Sequence, residues 1–149
     1  MTFMDDIKGV SAGVAGNAAG IAAGVIADTN LDAMFKALTF KRAADVATTA
    51  NLTLATGLVA GQTVDSITLT AGMRVLVKDQ TTASQNGVYI VGTGAPTRAT
   101  DFDESSEISG AFVPVLQGTA GAMKLFQCTS VGVTVGTGNI AFAARAFTA

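Results

Sequence analysis

The chain contains no histidine and no tryptophan, one tyrosine (Tyr89), one cysteine (Cys128) and two prolines. Without histidine, the commonest general base and the commonest metal ligand are missing, and neither a Ser-His-Asp nor a Cys-His arrangement can be assembled. A single cysteine excludes an intramolecular disulfide. It stands in the apolar run Leu125-Phe126-Gln127-Cys128, which predicts a buried small residue rather than a reactive thiol. With one tyrosine and no tryptophan, a stacked-aromatic platform for sugars would have to use phenylalanine. Charge is scarce as well: 13% of residues are charged, against about 25% in an ordinary globular chain. The net charge is −2, from 9 basic and 11 acidic residues, and Lys41-Arg42 is the only adjacent basic pair. With no basic run, no nucleic-acid partner is expected.

What is present is apolar and small. Hydrophobic residues make up 49% of 149 residues, enough for the core of one domain. With so few charges, the rest of the surface must be Thr, Ser, Gly, Ala and Asn, or must be covered by other chains; this predicts an assembly. The only acidic cluster is Asp101, Asp103, Glu104 and Glu107. Its spacing is not that of an EF-hand loop, and it reads first as a solvated acidic loop, with a divalent-ion site or an interchain contact as the other readings. The glycine-rich stretch 132–138 lacks the lysine and the strand–loop–helix setting of a phosphate cradle. No catalytic, cofactor-binding or metal-binding residue is expected, and an enzyme is not expected.

Composition divides the chain near residue 42. Residues 1–42 are rich in Ala and Gly, and Gly9–Ala27 carries no charge over 19 residues. Val10, Val14, Asn17, Ile21 and Val25 fall at spacings of three and four, as on one face of a helix, but five glycines in the same stretch disfavour a solitary helix. Three readings stay open: a transmembrane helix with small-residue spacing, a helix packed on an oligomer axis with Asn17 fixing register, and an extended arm laid on a neighbouring protein. The membrane reading is the weakest, because Ser11 and Asn17 interrupt a weakly hydrophobic run. Asp28-Thr29-Asn30 then reads as a break and cap, and Leu31, Met34, Phe35 and Leu38 predict a short helix over about 30–38 whose apolar side docks on a subunit. The start, with Asp5 and Asp6 ahead of Lys8, does not read as a signal peptide.

Residues 43–149 change to a period of two and to Thr, Val and Gly. Strands are expected at Leu52–Leu54, Thr63–Leu69, Arg74–Lys78, Val88–Val91, Gly110–Leu116, Leu125–Ser130, Val131–Val135 and Asn139–Phe142, with Pro114 pushing its strand toward an edge. Asn86-Gly87 is a strong turn dipeptide after a polar connection. The expected fold is mainly β: a small antiparallel β-sandwich or barrel, preceded by an Ala/Gly-rich N-terminal arm with a short helix. Arg74, Lys78 and Asp79 are placed near Asn86-Gly87 by any hairpin joining the two strands, and Arg98 with Asp101 forms a second candidate pair; both read as loop-holding contacts. Phe102 and Phe112 read as core rather than as stacking surfaces.

The blocks Ala47-Thr48-Thr49-Ala50-Asn51-Leu52-Thr53-Leu54, Asp65, Thr68-Leu69-Thr70-Ala71-Gly72, Arg74-Val75-Leu76-Val77-Lys78-Asp79-Gln80-Thr81, Asn86-Gly87-Val88-Tyr89 and Thr97-Arg98-Ala99-Thr100-Asp101-Phe102-Asp103 occur in that order. The series resembles a β module of bacteriophage tail fibres and related virion surface proteins, over roughly residues 43–145. The chain departs from that pattern at Met73 and Gln85, where acidic residues are usual, and at Pro96, where an aromatic is common; a binding role resting on that aromatic loses its support. The resemblance brings no catalytic residues. It implies a module displayed on a virus particle as a homotrimer, made in the host cytoplasm, with major capsid or tail proteins of the same particle as partners. A single module behind a short arm fits a capsid decoration or short head-fibre protein. A tail fibre, tail adaptor or receptor module for a host-surface glycan is the alternative. In that picture residues 1–42 anchor the chain and residues 43–149 project outward.

Overall fold

A computed structural model describes residues 39–146. Val10, Val14, Asn17, Ile21, Val25, Leu31, Met34, Phe35 and Leu38, and with them the expected arm and its helix, lie outside the described residues.

The described residues are mainly β, with three sheets, one α-helical turn and two 3₁₀ turns, Ala83–Gln85 and Ser105–Glu107. In chain order the elements are β1 (Val46–Ala47), α1 (Leu54–Gly57), β2 (Thr63–Val64), β3 (Ile67–Thr68), β4 (Arg74–Val77), β5 (Gly87–Ile90), β6 (Thr97–Arg98), β7 (Phe112–Val115), β8 (Lys124–Cys128) and β9 (Phe142–Arg145). One sheet has the order β1-β4-β5-β6, a second β7-β8-β9, and β2-β3 form a separate hairpin. Among the named strands pairing is antiparallel except where β1 joins β4 in parallel, Val46 opposite Val75; the isolated bridges at Phe40, Ala44 and Val59 are parallel too.

β4 shows why the domain has layers. Its four residues are all buried, and a short run buried on both faces must be covered on both faces. Leu76 points with Val88 into a cluster that also holds Phe102, Ile108, Val113, Val115, Phe126, Cys128 and Ile140, so this cluster fills the space between the two larger sheets. Val75 and Val77 point the other way, with Tyr89 and Val91, into a second cluster closed by Val46, Leu58, Val64 and Leu69. The segment from α1 to β3 is therefore a lid on the outer side of the first sheet. Each fully buried Leu, Ile or Phe contributes roughly 1.5–3 kcal/mol.

The two larger sheets share one segment. Phe40 bridges Phe112, Ala44 bridges Val115, and two residues later β1 has moved onto β4. Phe40 to Ala44 is four steps and Phe112 to Val115 is three, so this segment carries one extra residue, a bulge. The bulge lies opposite Pro114, the one position of β7 without an N–H. Strands that switch sheets through a bulge are how sandwich corners are made.

Several expected strands differ. Leu52–Leu54 is not a strand: Leu54–Gly57 makes one helical turn, and Leu52 and Leu54 pack on the second cluster. Thr63–Leu69 is broken at Asp65 and Ser66, whose φ values of 44° and 70° turn the chain back as a hairpin. Residues 131–135 form no strand, because Gly132 and Gly136 sit at φ 66° and 86°; Val133 and Val135 pack on the core from irregular chain. The last strand begins at Phe142 rather than Asn139. Asn86-Gly87 is not the hairpin turn: Asn86 is extended at φ −62°, ψ 151°, and Gly87 already pairs with Val77.

Candidate functional site

The polar residues inside this domain gather at three joints. The first is at Arg74, at the start of β4 and only 6% exposed. Its Nη2 donates to Asp101 Oδ1 at 2.9 Å, to Asp101 Oδ2 at 3.0 Å and to the Arg42 carbonyl at 3.3 Å. The Arg42 N–H donates to the same carboxylate at 3.4 Å. The guanidinium and Asp101 thus serve the N–H and the carbonyl of Arg42, inside the bulged stretch. The Arg74 N–H donates to Asp45 Oδ2 at 2.7 Å, which ties β4 to the shared segment.

Lys41 and Glu107 are buried beside this joint, at 6% and 4% exposure. Burial lowers the Lys41 pKa, with the charges of Glu107 and Asp101 acting the other way and that of Arg74 adding to the shift. Burial raises the Glu107 carboxyl, against the N–H groups of Glu104 and Asp103, which donate to its Oε2 at 3.0 Å each, and against Lys41. Glu104 and Glu107 cap one another across the 3₁₀ turn Ser105–Glu107. Oε1 of Glu107 is buried without a hydrogen bond.

The second joint holds the β4–β5 connection. Gln80 accepts from the Leu52 N–H at 2.9 Å and donates to the Leu52 carbonyl at 2.8 Å, pairing side-chain amide with peptide. Asn86, 4% exposed, accepts from the Gln80 N–H at 3.0 Å and donates to the Ile140 carbonyl at 2.8 Å. Arg98 donates to the carbonyls of Asn86 at 3.0 Å and Ser84 at 2.9 Å, and lies over the Tyr89 ring. Tyr89 in turn donates to the Gln85 carbonyl at 2.7 Å. Thr48 donates to Asp79 at 3.1 Å and accepts from the Lys78 N–H at 3.0 Å, while Lys78 Nζ reaches Asp79 at 2.8 Å.

The third joint is Asp65, whose carboxylate accepts the N–H groups of Ala120 at 2.9 Å and Gly121 at 2.8 Å. It clasps the lid to the turn before β8. Gly118, at φ 118°, lies so close that a Cβ there would run into this carboxylate.

The residues singled out in the sequence are therefore not one cluster. Arg74 and Asp101 meet at the first joint; Lys78, Asp79, Asn86 and Arg98 serve the second. Two placements are corrected. Arg98 does not pair with Asp101, which is taken by Arg74. Arg74 is not near Asn86-Gly87 but at the opposite end of the hairpin, across from Ile90. The acidic cluster is not wholly solvated, since Asp101 and Glu107 turn inward while Asp103 and Glu104 are exposed. The burial of Gln80, Lys41 and Glu107 and the clasp made by Asp65 escaped sequence reasoning: no periodic signal marks any of them as turned inward. Phe102 and Cys128 are buried, at 0% and 1% exposure, and burial raises the Cys128 thiol. Phe112 is half-buried and stacks on the exposed Phe40, with ring centroids 4.8 Å apart.

Two surface features remain. Phe40, Pro114, Leu116, Met123 and Leu125 line an apolar depression of about 270 Å³. Arg42, Asp45, Gly72, Arg74, Ile90 and Leu116 line an open cleft of about 390 Å³. Among the described residues, no group of three or more His, Cys, Asp or Glu side chains is placed to hold a metal ion. Among them too, no helix is long and apolar enough to cross a membrane. Compared with protein-family models, with curated proteins and with solved structures, the chain matches none.

Proposed function

We propose that this chain is a structural protein of a tailed-bacteriophage particle, displayed on the particle surface as a homotrimer. In this reading it is a capsid decoration or short head-fibre protein, made in the host cytoplasm, whose N-terminal arm binds the major capsid protein. The reading starts from the ordered sequence blocks that resemble virion surface modules. The observation that carries it further is the use to which those blocks are put. Thr48, Asp79, Gln80, Asn86 and Arg98 spend their hydrogen bonds on backbone or on neighbouring side chains of the same joint, Lys78 and Gln85 included. A domain whose polar side chains hold loops rigid suits display better than turnover. A tail fibre, tail adaptor or glycan-binding module is the second reading, favoured by the open cleft at Arg42 and Arg74.

The test is quantitative mass spectrometry of purified, nuclease-treated particles of the phage that encodes the chain. The expected result is its presence at a copy number that is a multiple of three per particle. Its absence from purified particles, with abundance in the host lysate, would overturn the proposal.

A further inference from the structure

The cleft beside Arg74 has donors and acceptors that the fold does not use. Arg42 lines it with a side chain that is exposed and makes no hydrogen bond or ion pair among the described residues; its backbone is engaged, at Asp101 and Arg74. Arg74 lies in the wall, nine-tenths buried, with Nη2 alone occupied. Its Nε is buried without a hydrogen-bond partner and closed off from solvent, so what this side chain offers the cleft is Nη1, which makes no hydrogen bond among the described residues. Asp45 gives Oδ2 to the Arg74 N–H, and its Oδ1 accepts nothing among the described residues. Ile90 and Leu116, the latter 49% exposed, supply an apolar wall, and Gly72 leaves that side open.

This set asks for a ligand of mixed character. Two guanidinium groups favour a carboxylate, which they can meet in a fork. A carboxylate alone would meet repulsion from Asp45. A ligand that also carries hydroxyls would donate to Asp45 instead, and a C–H face would cover Ile90 and Leu116. A volume of about 390 Å³ is at the low end for small-molecule sites and fits one or two sugar units. We propose that this cleft binds an acidic sugar residue, a hexuronate, with Arg42 and Arg74 on the carboxylate and Asp45 on ring hydroxyls. The inference holds for the domain whether or not the chain sits on a virus particle, so its failure and that of the particle reading are separate.

For an open site and a ligand of this size, affinity in the millimolar range is expected. The test is an NMR titration of the full chain with galacturonate, galactose and acetate, on the native protein and on Arg42→Ala, whose lost side chain makes no hydrogen bond or ion pair among the described residues. The expected result is saturable shifts at the amides of Arg42, Asp45, Gly72 and Leu116 with galacturonate. Galactose and acetate should each bind at least about tenfold more weakly, and Arg42→Ala should lose at least about tenfold for galacturonate. Arg42→Lys should recover part of that loss. Acetate binding as well as galacturonate would overturn the sugar assignment. No saturation by about 50 mM galacturonate, or unchanged binding by Arg42→Ala, would overturn the site.

Discussion

Arg74 and Asp101 show how much one pair can matter in a chain with few charges. Their side chains are 8% and 16% exposed, so water screens them little. Removing one partner strands the other and also orphans the Arg42 carbonyl. Arg74→Met is expected to cost about 3 kcal/mol in urea unfolding. The double variant Arg74→Met/Asp101→Asn should recover much of that, because no buried charge is then left alone. Glu107 gives a pH prediction. Burial holds its folded pKa above the ordinary 4.5, so the ionised form is the one disfavoured by folding. Its contribution to stability is full below 4.5 and is lost as pH rises through the folded value. Glu107→Gln removes that dependence. Unfolding free energies measured from pH 4.5 to 7 should show the native protein gaining on the variant as pH falls. A gain with rising pH would contradict the burial account.

At the scale of elements, the sequence announced those whose cause is local or periodic. β4 and β7 fall inside apolar runs marked in advance, and β5 and β8 overlap theirs but start one residue earlier, because alternating or continuous burial writes itself into the residue pattern. The edges failed where tertiary contacts decide. Leu52-Thr53-Leu54 alternates like a strand, yet three residues are too few to outweigh the lid's need to drop two leucines onto one cluster. Val131–Val135 is β-branched, but two glycines in the left-handed region bend it away from any partner strand. Pro114 signalled an edge correctly in one respect, since the neighbouring segment bulges past it; the guanidinium that fills the gap comes from 40 residues upstream and leaves no local trace. The Asp65 clasp belongs to this scale as well. Gly118→Ala should cost about 2 kcal/mol or more, from a left-handed φ and from collision with the carboxylate. Asp65→Ala/Gly118→Ala together should cost less than the sum of the two single changes, as thermal unfolding would read.

At the scale of the molecule, 13% charge and an apolar depression with Met123 at 86% exposure predict that the chain does not remain single. Light scattering on the full chain should give three times the 14.9 kDa chain mass, independent of concentration over a tenfold range. Residues 39–41 take part in the ladder with β7, so a shortened chain should begin at Thr39. That shortened chain should be a monomer if Val10, Val14, Asn17, Ile21 and Val25 form the oligomer contact. The candidate cleft was not legible at all, because Arg42, Asp45, Arg74 and Leu116 are joined only by the switch of one segment between two sheets. If the chain is displayed on a phage particle as proposed, residues 43–149 lie on its outside, and antibody labelling tests this most directly. Gold-conjugated antibodies raised against the β domain should decorate intact, unfixed particles of the encoding phage in electron micrographs, at regular positions on the head. Labelling that appears only after the particles are broken open would contradict surface display.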